Sequence, residues 1–436
     1  MAAVAQDLGI ELEDDDIQTQ QVLLAASHHD IETLRTLLKT IPATVQDPET
    51  GYTPLHAAIA ACVPDDDDDT RANGDVHVNG NGDSIRDNEQ AETLQAAEKT
   101  MRLLLQNGAI WSDLDVNDET PGCLARRLKL SSLYEIMVDA GVRAELLMNR
   151  LDDFAPLGGE DEDDDEEIAT ETDEMEMVEV IDVNEETNGT IQDIHNGTAG
   201  DESTESAHYL DSDLTFTDDR LVDSSNNGVM MQWESNIMKR SADVLLPSEG
   251  LSVLNIGHGM GIIDALFQDK KPAVHHIIEA HPQVLSQMLS TGWRSSDEPT
   301  STTSSNSTHP NVTVHAGKWQ DILPSLLTSG VTFDAIYFDT FAEDYKAFRH
   351  FFEEYVIGLL KPEGRWSFFH GLGADRQVCY DVYTKVVEMD LFEVGFDVEW
   401  EEFETTEADR EGEWQGVRRR YWALDKYRLP MCSFVG

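Results

Sequence analysis

The chain has 436 residues, with 86 acidic against 30 basic side chains, a formal net charge of −56 and 40% hydrophobic residues. At roughly 150 residues per domain this is two or three domains with ample core; so acidic a surface repels nucleic-acid phosphates and attracts basic proteins. No run of about 18 apolar residues is present to span a membrane, MAAVAQDLGIELEDDD lacks the segments of a secretory leader, and the scattered Cys62, Cys123, Cys379 and Cys432 read as reduced thiols, with no disulfide framework or zinc site expected.

Residues 1–150 read as an ankyrin-like helical region. Val22, Leu23, Ala26, Ile31, Leu34, Leu37 and Leu38 recur near helical spacing. Gly51-Tyr52-Thr53-Pro54-Leu55-His56-Ala57-Ala58 matches the TPLHxA start of an ankyrin repeat, where proline opens a helix and small residues let helix pairs stack. Leu103-Leu104-Leu105-Gln106-Asn107-Gly108-Ala109 resembles the end of such a repeat's second helix, with Gly108 as a left-handed cap. A degenerate start, Thr120-Pro121-Gly122-Cys123-Leu124-Ala125, follows Thr53 by 67 residues, close to two 33-residue periods; a last helix runs through Leu133, Ile136, Met137 and Ala140. His56 is expected to bond its own turn. Residues 64–89, with consecutive aspartates at 65–69, read as a disordered insertion. Residues 151–207 read as a disordered acidic linker: 26 acidic side chains and no Lys or Arg lie between 151 and 219. It is either a solvated spacer or a tether for a basic partner.

Residues 208–436 alternate strand and helix. Apolar runs at 251–256, 274–279, 311–315, 333–338 and 365–370 predict five strands, separated by helices near 262–267, 282–291, 319–327, 345–360 and 374–389. That alternation predicts a parallel, doubly wound sheet. Two further strands, 392–401 and 418–425, have no helix between them and predict an antiparallel hairpin at the sheet edge; the Ser/Thr-rich 294–310 is a surface loop.

The first strand runs into Gly257-His258-Gly259-Met260-Gly261. Glycines here permit positive φ and close approach of a ligand to the backbone, and the following helix N-terminus favours negative charge. The GxGxG spacing departs from the GxGxxG of dinucleotide sites, because Ile262 stands where a third glycine is wanted. A ligand without a pyrophosphate, such as S-adenosylmethionine, fits better. Glu279 ends the second strand, where a carboxylate accepts both ribose hydroxyls of an adenosine. Asp339 follows the fourth strand between aromatic residues, at the carboxyl end of the sheet, outside which open α/β folds bind ligands. Glu234, after Trp233, reads either as a site residue or as an exposed helix residue.

These blocks carry a resemblance. VMMQWE with Met238, LNIGHGMG, IIEAHP, AGKW with Asp321, YFDTF, LLKPEGRWSFFHG and RYWALDKYRLP occur in order over the last half of the chain. This stretch resembles guanidinoacetate methyltransferase, and the whole chain resembles the fungal arginine δ-N-methyltransferases, the type IV protein arginine methyltransferases. The resemblance implies a doubly wound, seven-stranded class I S-adenosylmethionine-dependent methyltransferase domain (208–436), preceded by the all-α ankyrin-like region and the acidic linker. It implies that residues 257–263 (Gly257, His258, Gly259, Met260, Gly261, Ile262, Ile263) hold the cofactor. Glu279, Ala280, His281, Lys318 and Trp319 would meet its ribose and adenine. Met230, Met238 and Phe216 would cover it, Asp339 and Glu234 would grip a guanidinium, and Gly371 and Leu372 would border the substrate. Plainer readings stay open: Trp319 as core, Met230 and Met238 as a helical core stripe, His281 and His370 as hydrogen-bonded linkers.

The implied activity is methyl transfer to the δ (N5) nitrogen of arginine in a basic protein, a large-subunit ribosomal protein in that family. The alternatives are a small-molecule guanidine methyltransferase, an inactive repeat scaffold, and a dinucleotide oxidoreductase, which the GxGxG spacing disfavours. A monomer in the cytoplasm and nucleus, with no bound metal and no nucleic-acid or membrane partner, is expected.

Overall fold

A computed structural model describes residues 14–63, 82–151, 206–293, 309–409 and 412–436. The bulk of the predicted linker (152–205), most of the predicted insertion (64–81) and most of the Ser/Thr loop (294–308) lie outside the described residues.

The first region forms α1 (Asp14–Ser27), α2 (Ile31–Leu37), α3 (Pro54–Ala60), α4 (Gly82–Gln106), α5 (Pro121–Arg127) and α6 (Ser131–Leu151). Helix α4 begins inside the stretch predicted as insertion. The caps follow from sequence: Thr53 and Thr120 each accept from a backbone N–H three residues on, with Pro54 and Pro121 at the first helical turn. His56 is fully buried, its Nδ1 3.2 Å from the Thr53 N–H and its Nε2 3.0 Å from Glu119 O, so it ties the first turn to the second. Helices α1, α3 and α5 stack in sequence, as do α2, α4 and α6.

The last region opens with α7 (Ser206–Asp211) and a small antiparallel sheet, β1 (Thr215–Phe216), β2 (Arg220–Val222) and β3 (Gly228–Met231). A 3-10 turn (Gln232–Glu234) leads into α8 (Ser235–Leu245). Then β4 (Ser252–Ile256), α9 (Ile262–Asp269), β5 (Val274–Glu279), α10 (Pro282–Thr291), β6 (Val312–Ala316), α11 (Trp319–Ser329) and β7 (Phe333–Phe338) alternate. Helix α12 (Tyr345–Phe351) continues through a π turn (Phe352–Val356) and Ile357–Leu359 into β8 (Leu360–Phe368); α13 (Gln377–Glu393), β9 (Phe396–Glu404) and β10 (Lys426–Phe434) complete the chain. The sheet order is β6-β5-β4-β7-β8-β10-β9, parallel except for β10, which is antiparallel to both neighbours. This is the seven-stranded, doubly wound class I methyltransferase arrangement. Strands β4 and β7 are central and nearly wholly buried, which is why their sequences, SVLNI and FDAIYF, are mostly apolar.

One strand is displaced. The predicted strand at 418–425 is a loop, and β10 lies at Lys426–Phe434. Pro430 sits inside it, lacking the N–H a central strand uses; Ser367 Oγ donates to Pro430 O at 2.6 Å, and the β8 ladder registers at Cys432↔Trp366. The displaced segment, 412–425, becomes available to the site.

The two regions share one core. Helix α6 packs along α13, with α5 beside it. A Cβ on Gly122 would fall 2.6 Å from Val378 Cγ2, and one on Gly141 2.6 Å from Val382 Cγ2, so glycine permits the close approach. Tyr383 donates to the buried Glu145 at 2.9 Å and Tyr134 to Asp381 at 2.5 Å, across the same seam.

Candidate active site

The glycine turn after β4 forms the floor of a cleft at the carboxyl ends of the strands. Gly257 has φ +95°, and a Cβ there would lie 1.8 Å from Asp339 O. Gly259 has φ +55°, with Met230 Cε 2.7 Å from the place of its missing Cβ. Gly257 admits no side chain, and at Gly259 one would be strained by the left-handed backbone and would displace the end of Met230, so backbone is left facing the cleft. The Met260 N–H points at Met230 Sδ, 3.2 Å away, and Gly261, left-handed, caps α9. Opposite, Glu279 accepts the His258 N–H on Oε2 (2.9 Å) and the His281 N–H on Oε1 (2.7 Å). Each oxygen retains a lone pair for a ligand hydroxyl. The cleft encloses about 640 Å³, part of it open to solvent.

Of the predicted cofactor residues, Met230, Gly257, Gly259, Glu279, Ala280, Lys318, Trp319 and Asp339 line this cleft. Others are near it but turned elsewhere. The His258 side chain lies beneath the turn, where its Nδ1 is 2.6 Å from Asp264 Oδ2; His275 Nε2 is 2.8 Å from Asp264 Oδ1. Burial pushes the Asp264 carboxyl up, but the two histidine hydrogen bonds outweigh it and hold it at about 2. Asn255 Nδ2 joins the cluster to the turn by donating to Asp264 Oδ1 and Gly257 O. His258 therefore braces the turn, and only its backbone reaches toward the ligand side. Met260, Ile262, Ile263 and Phe216 pack with or against a core cluster behind the turn. Met230 and Met238 are not one helical stripe: Met230 is on β3, and Met238 is on α8, buried in that core. His281 caps α10 and places Nε2 3.1 Å from Tyr209 O, the linker role left open above. His370 is likewise a buried linker, its Nε2 2.8 Å from Thr384 Oγ1. Gly371 and Leu372 form a turn after β8 and do not line the cleft.

Trp319 is both core and wall. It is buried edge-on against Phe338 and Phe351, and its Nε1 donates to both oxygens of Glu343 at 2.9 and 2.8 Å. Glu343 also accepts from Gln320 and Thr340. Sequence reading missed Glu343, and it missed Tyr209 and Phe341, whose rings meet edge-on at 4.9 Å in the cleft wall. YFDTF contains Phe341, but nothing local announces Tyr209, more than 100 residues earlier.

Two acids define the chemistry. Glu234, expected either in the site or exposed, is 3% exposed. Its Oε1 accepts from the Met231 N–H at 3.1 Å and from the Tyr421 hydroxyl, which comes from the 412–425 loop. Burial, and next the charge of Asp339, push its carboxyl up to about 8. Asp339 is held by its own backbone, its N–H donating to Ile256 O at 2.9 Å, and burial raises its carboxyl to about 7. Asp339 Oδ2 is buried without a hydrogen-bond partner among the described residues. A neighbouring pair of carboxylates with no cation beside them among the described residues is an anionic site suited to a cation with N–H donors. Among the described residues no cluster suited to a metal ion occurs.

The guanidinoacetate N-methyltransferase family model matches residues 198–394. A relative from Emericella nidulans named Protein arginine N-methyltransferase 2 is 53% identical over 436 residues, covering 97% of this chain and 98% of that one. One of the same name from Aspergillus fumigatus is 54% identical over 434 residues, covering 96% and 97%. Among solved structures the chain is similar to the O-methyltransferase TomG from Streptomyces achromogenes in complex with SAM, at 14% identity, 46% of this chain, 80% of that chain and a TM-score of 0.32. That likeness is too slight to add to the strand order. With half of its residues shared across nearly the full length of both fungal relatives, the chain belongs to the protein arginine N-methyltransferase 2 family.

Proposed function

We propose that this chain transfers a methyl group from S-adenosylmethionine to the δ-nitrogen of an arginine in a basic protein, a large-subunit ribosomal protein being the substrate the resemblance implies. The observation that carries this is the pairing of buried Glu234 with Asp339, opposed by no cation among the described residues and presenting an unpartnered Asp339 Oδ2. In the same reading the first region is an ankyrin-like stack, the acidic linker helps dock the substrate, and the enzyme works as a monomer in cytoplasm and nucleus.

The cleft fits the cofactor. Backbone at Gly257 and Gly259 with Met230 would hold its methionine part, Glu279 its ribose hydroxyls, and Lys318 with Trp319 its adenine. When bound, S-adenosylmethionine would supply an electrophilic methyl group, its sulfur–methyl bond breaking to leave S-adenosylhomocysteine. The protein's task is then to aim one nitrogen and remove one proton. An arginine side chain stays protonated, since its pKa exceeds about 12. Glu234 and Asp339 together match its fork of N–H donors and keep the positive charge on the terminal nitrogens. That leaves the δ-nitrogen to face the donor. Asp339, raised to about 7, is suited to take the proton released as the N–C bond forms. Most of the acceleration comes from positioning and from fixed charge.

The test is mass spectrometry of a basic ribosomal protein incubated with enzyme and S-adenosylmethionine, with fragmentation that places the methyl on the δ or a terminal nitrogen. A δ-methyl lost in Asp339→Asn and Glu234→Gln is expected. Terminal methylation, or full turnover in either variant, refutes the reading. The second reading, a small-molecule guanidine methyltransferase, rests on the family model matched; faster turnover of a free guanidino acid than of protein would favour it.

A further inference from the structure

Glu234 is gripped on one oxygen only. Both of its donors, the Met231 N–H and the Tyr421 hydroxyl, fall on Oε1, leaving Oε2 with no partner among the described residues. The first donor is local: it closes the 3-10 turn that begins after β3. The second crosses 187 positions of sequence.

The loop that brings Tyr421 is itself tied down. Arg220 Nη1 donates to Gln415 O at 2.7 Å, and the Arg418 N–H donates to Asn226 O at 2.8 Å, so the loop is fixed to the small antiparallel sheet and its turns. On the other side Arg419 pairs with Asp375 at 2.9 Å, in the turn after β8. The Tyr421 ring rests between Trp414, 4.9 Å centroid to centroid, and Trp233, 6.1 Å. A ring wedged in this way has little freedom, and its hydroxyl has one carboxylate to meet.

We propose that Tyr421 is a positioning residue for the methyl transfer, clamping Glu234 Oε1 so that Oε2 is the oxygen offered to the guanidinium. This rests on reading Glu234 as a guanidinium ligand. The groups facing Glu234 are Asp339 at the end of β7, Glu413 and Tyr421 in the loop, Tyr337 on β7 and Tyr427 on β10. The two acids favour a protonated Glu234. Tyr421 and the Met231 N–H oppose them, favouring the ionised form. The Tyr421 phenol, buried beside that carboxylate, stays protonated far above its ordinary range and is always a donor. Tyr421 thus fixes both the direction and the charge of the group that must meet a cation.

Tyr421→Phe keeps the ring and removes the clamp. A hydrogen bond to a charged group is worth enough to move a carboxyl by about one to two pH units. The acid limb of kcat/KM for an arginine-bearing basic protein is expected to move up by that amount. At pH 7.5 kcat/KM should fall about ten- to hundredfold, with recovery only as the pH passes about 9 to 10, while affinity for S-adenosylhomocysteine by calorimetry, which also reports folding, stays within about twofold. A merely structural loss would lower activity at every pH and weaken the nucleotide as well. An unmoved acid limb with unchanged KM overturns the proposal. Infrared titration of the ligand-free protein, with the Glu234 carboxyl assigned from its loss in Glu234→Gln, should show the same upward move in Tyr421→Phe. It separates failures: an inactive wild type sinks the arginine reading, whereas a Glu234 titration indifferent to Tyr421→Phe sinks the clamp.

Discussion

Asp339→Asn should make the ligand-free protein more stable while it abolishes methyl transfer. Burial raises the Asp339 carboxyl from an ordinary 3.8 to about 7. The unfolded chain therefore releases this proton from about pH 4, while the folded chain holds it until about pH 7. Fewer protons on the unfolded state mean that stability falls as pH rises. The penalty begins near pH 4, is complete above pH 7, and amounts to on the order of 4 kcal/mol for three pH units of displacement; less than half of it applies at pH 5. Asparagine carries no charge there, and it also removes the repulsion that raises Glu234. Its amide sits in the same partnerless place as Asp339 Oδ2 and gives back about 1–3 kcal/mol. A net gain of about 1–3 kcal/mol is expected at pH 8 and a distinctly smaller one at pH 5, measured by calorimetric or chemical unfolding. Transfer to a basic protein, assayed in parallel, should vanish. A variant no more stable than wild type at pH 8, or one whose gain is the same at both pH values, refutes the view of Asp339 as a carboxylate held ionised against its surroundings.

Because Glu234 and Asp339 sit at about 8 and about 7, kcat/KM for a cationic substrate should fall roughly tenfold per pH unit below pH 8 and more steeply below pH 7, as the second carboxyl protonates; a flat profile from pH 6 to 9 would show that one or both need not be ionised. Gly257→Ala would drive a methyl into Asp339 O, 1.8 Å away, at a φ of +95°, so affinity for S-adenosylhomocysteine should drop by about a hundredfold or more in calorimetry, and normal binding would move the cofactor off this turn. Deleting residues 1–151 uncovers Val378, Val382, Tyr383 and Val386 of α13, and the product should aggregate or lose nucleotide binding; a soluble fragment fully active on free arginine would contradict this.

What the sequence revealed follows the range of its physics. Strands β4, β5 and β7 were legible within a residue because buried parallel strands are short segments built around apolar and β-branched residues. The glycine turn was legible because close backbone approach excludes every other residue, and Asp339 and Glu279 because they close strands at the ligand side of the sheet. The direction of the His258 side chain was not, since it depends on Asp264, in the helix after the turn, and on His275 in the next strand. Glu234 looked as much like an exposed helix residue as a site residue until Tyr421 was brought beside it. That contact depends on β10 starting at Lys426, eight residues later than predicted, and so on how Pro430 is accommodated in a central strand. Long-range hydrogen bonds of this kind leave no periodic trace.

The same contacts change what the helical region can be. A docking arm would meet the catalytic domain through a small polar interface, whereas here the core is continuous through Gly122, Gly141 and α13. Arg376 Nε donates to Asp118 O in the turn before α5, Arg376 and Arg419 both pair with Asp375, and Arg419 lies two residues from Tyr421. The helices thus stand a few hydrogen bonds from Glu234. They bury one flank of α13, beside a site whose two like charges weaken the fold. Removal of the helices cannot then separate docking from catalysis, because the site loses its frame together with any surface that recognises the substrate. Reversing exposed acidic charges such as Glu32 and Glu49, which lie away from the seam with α13, does separate them: slower action on a basic protein at low salt, with action on a short arginine peptide unchanged, would mark a docking surface.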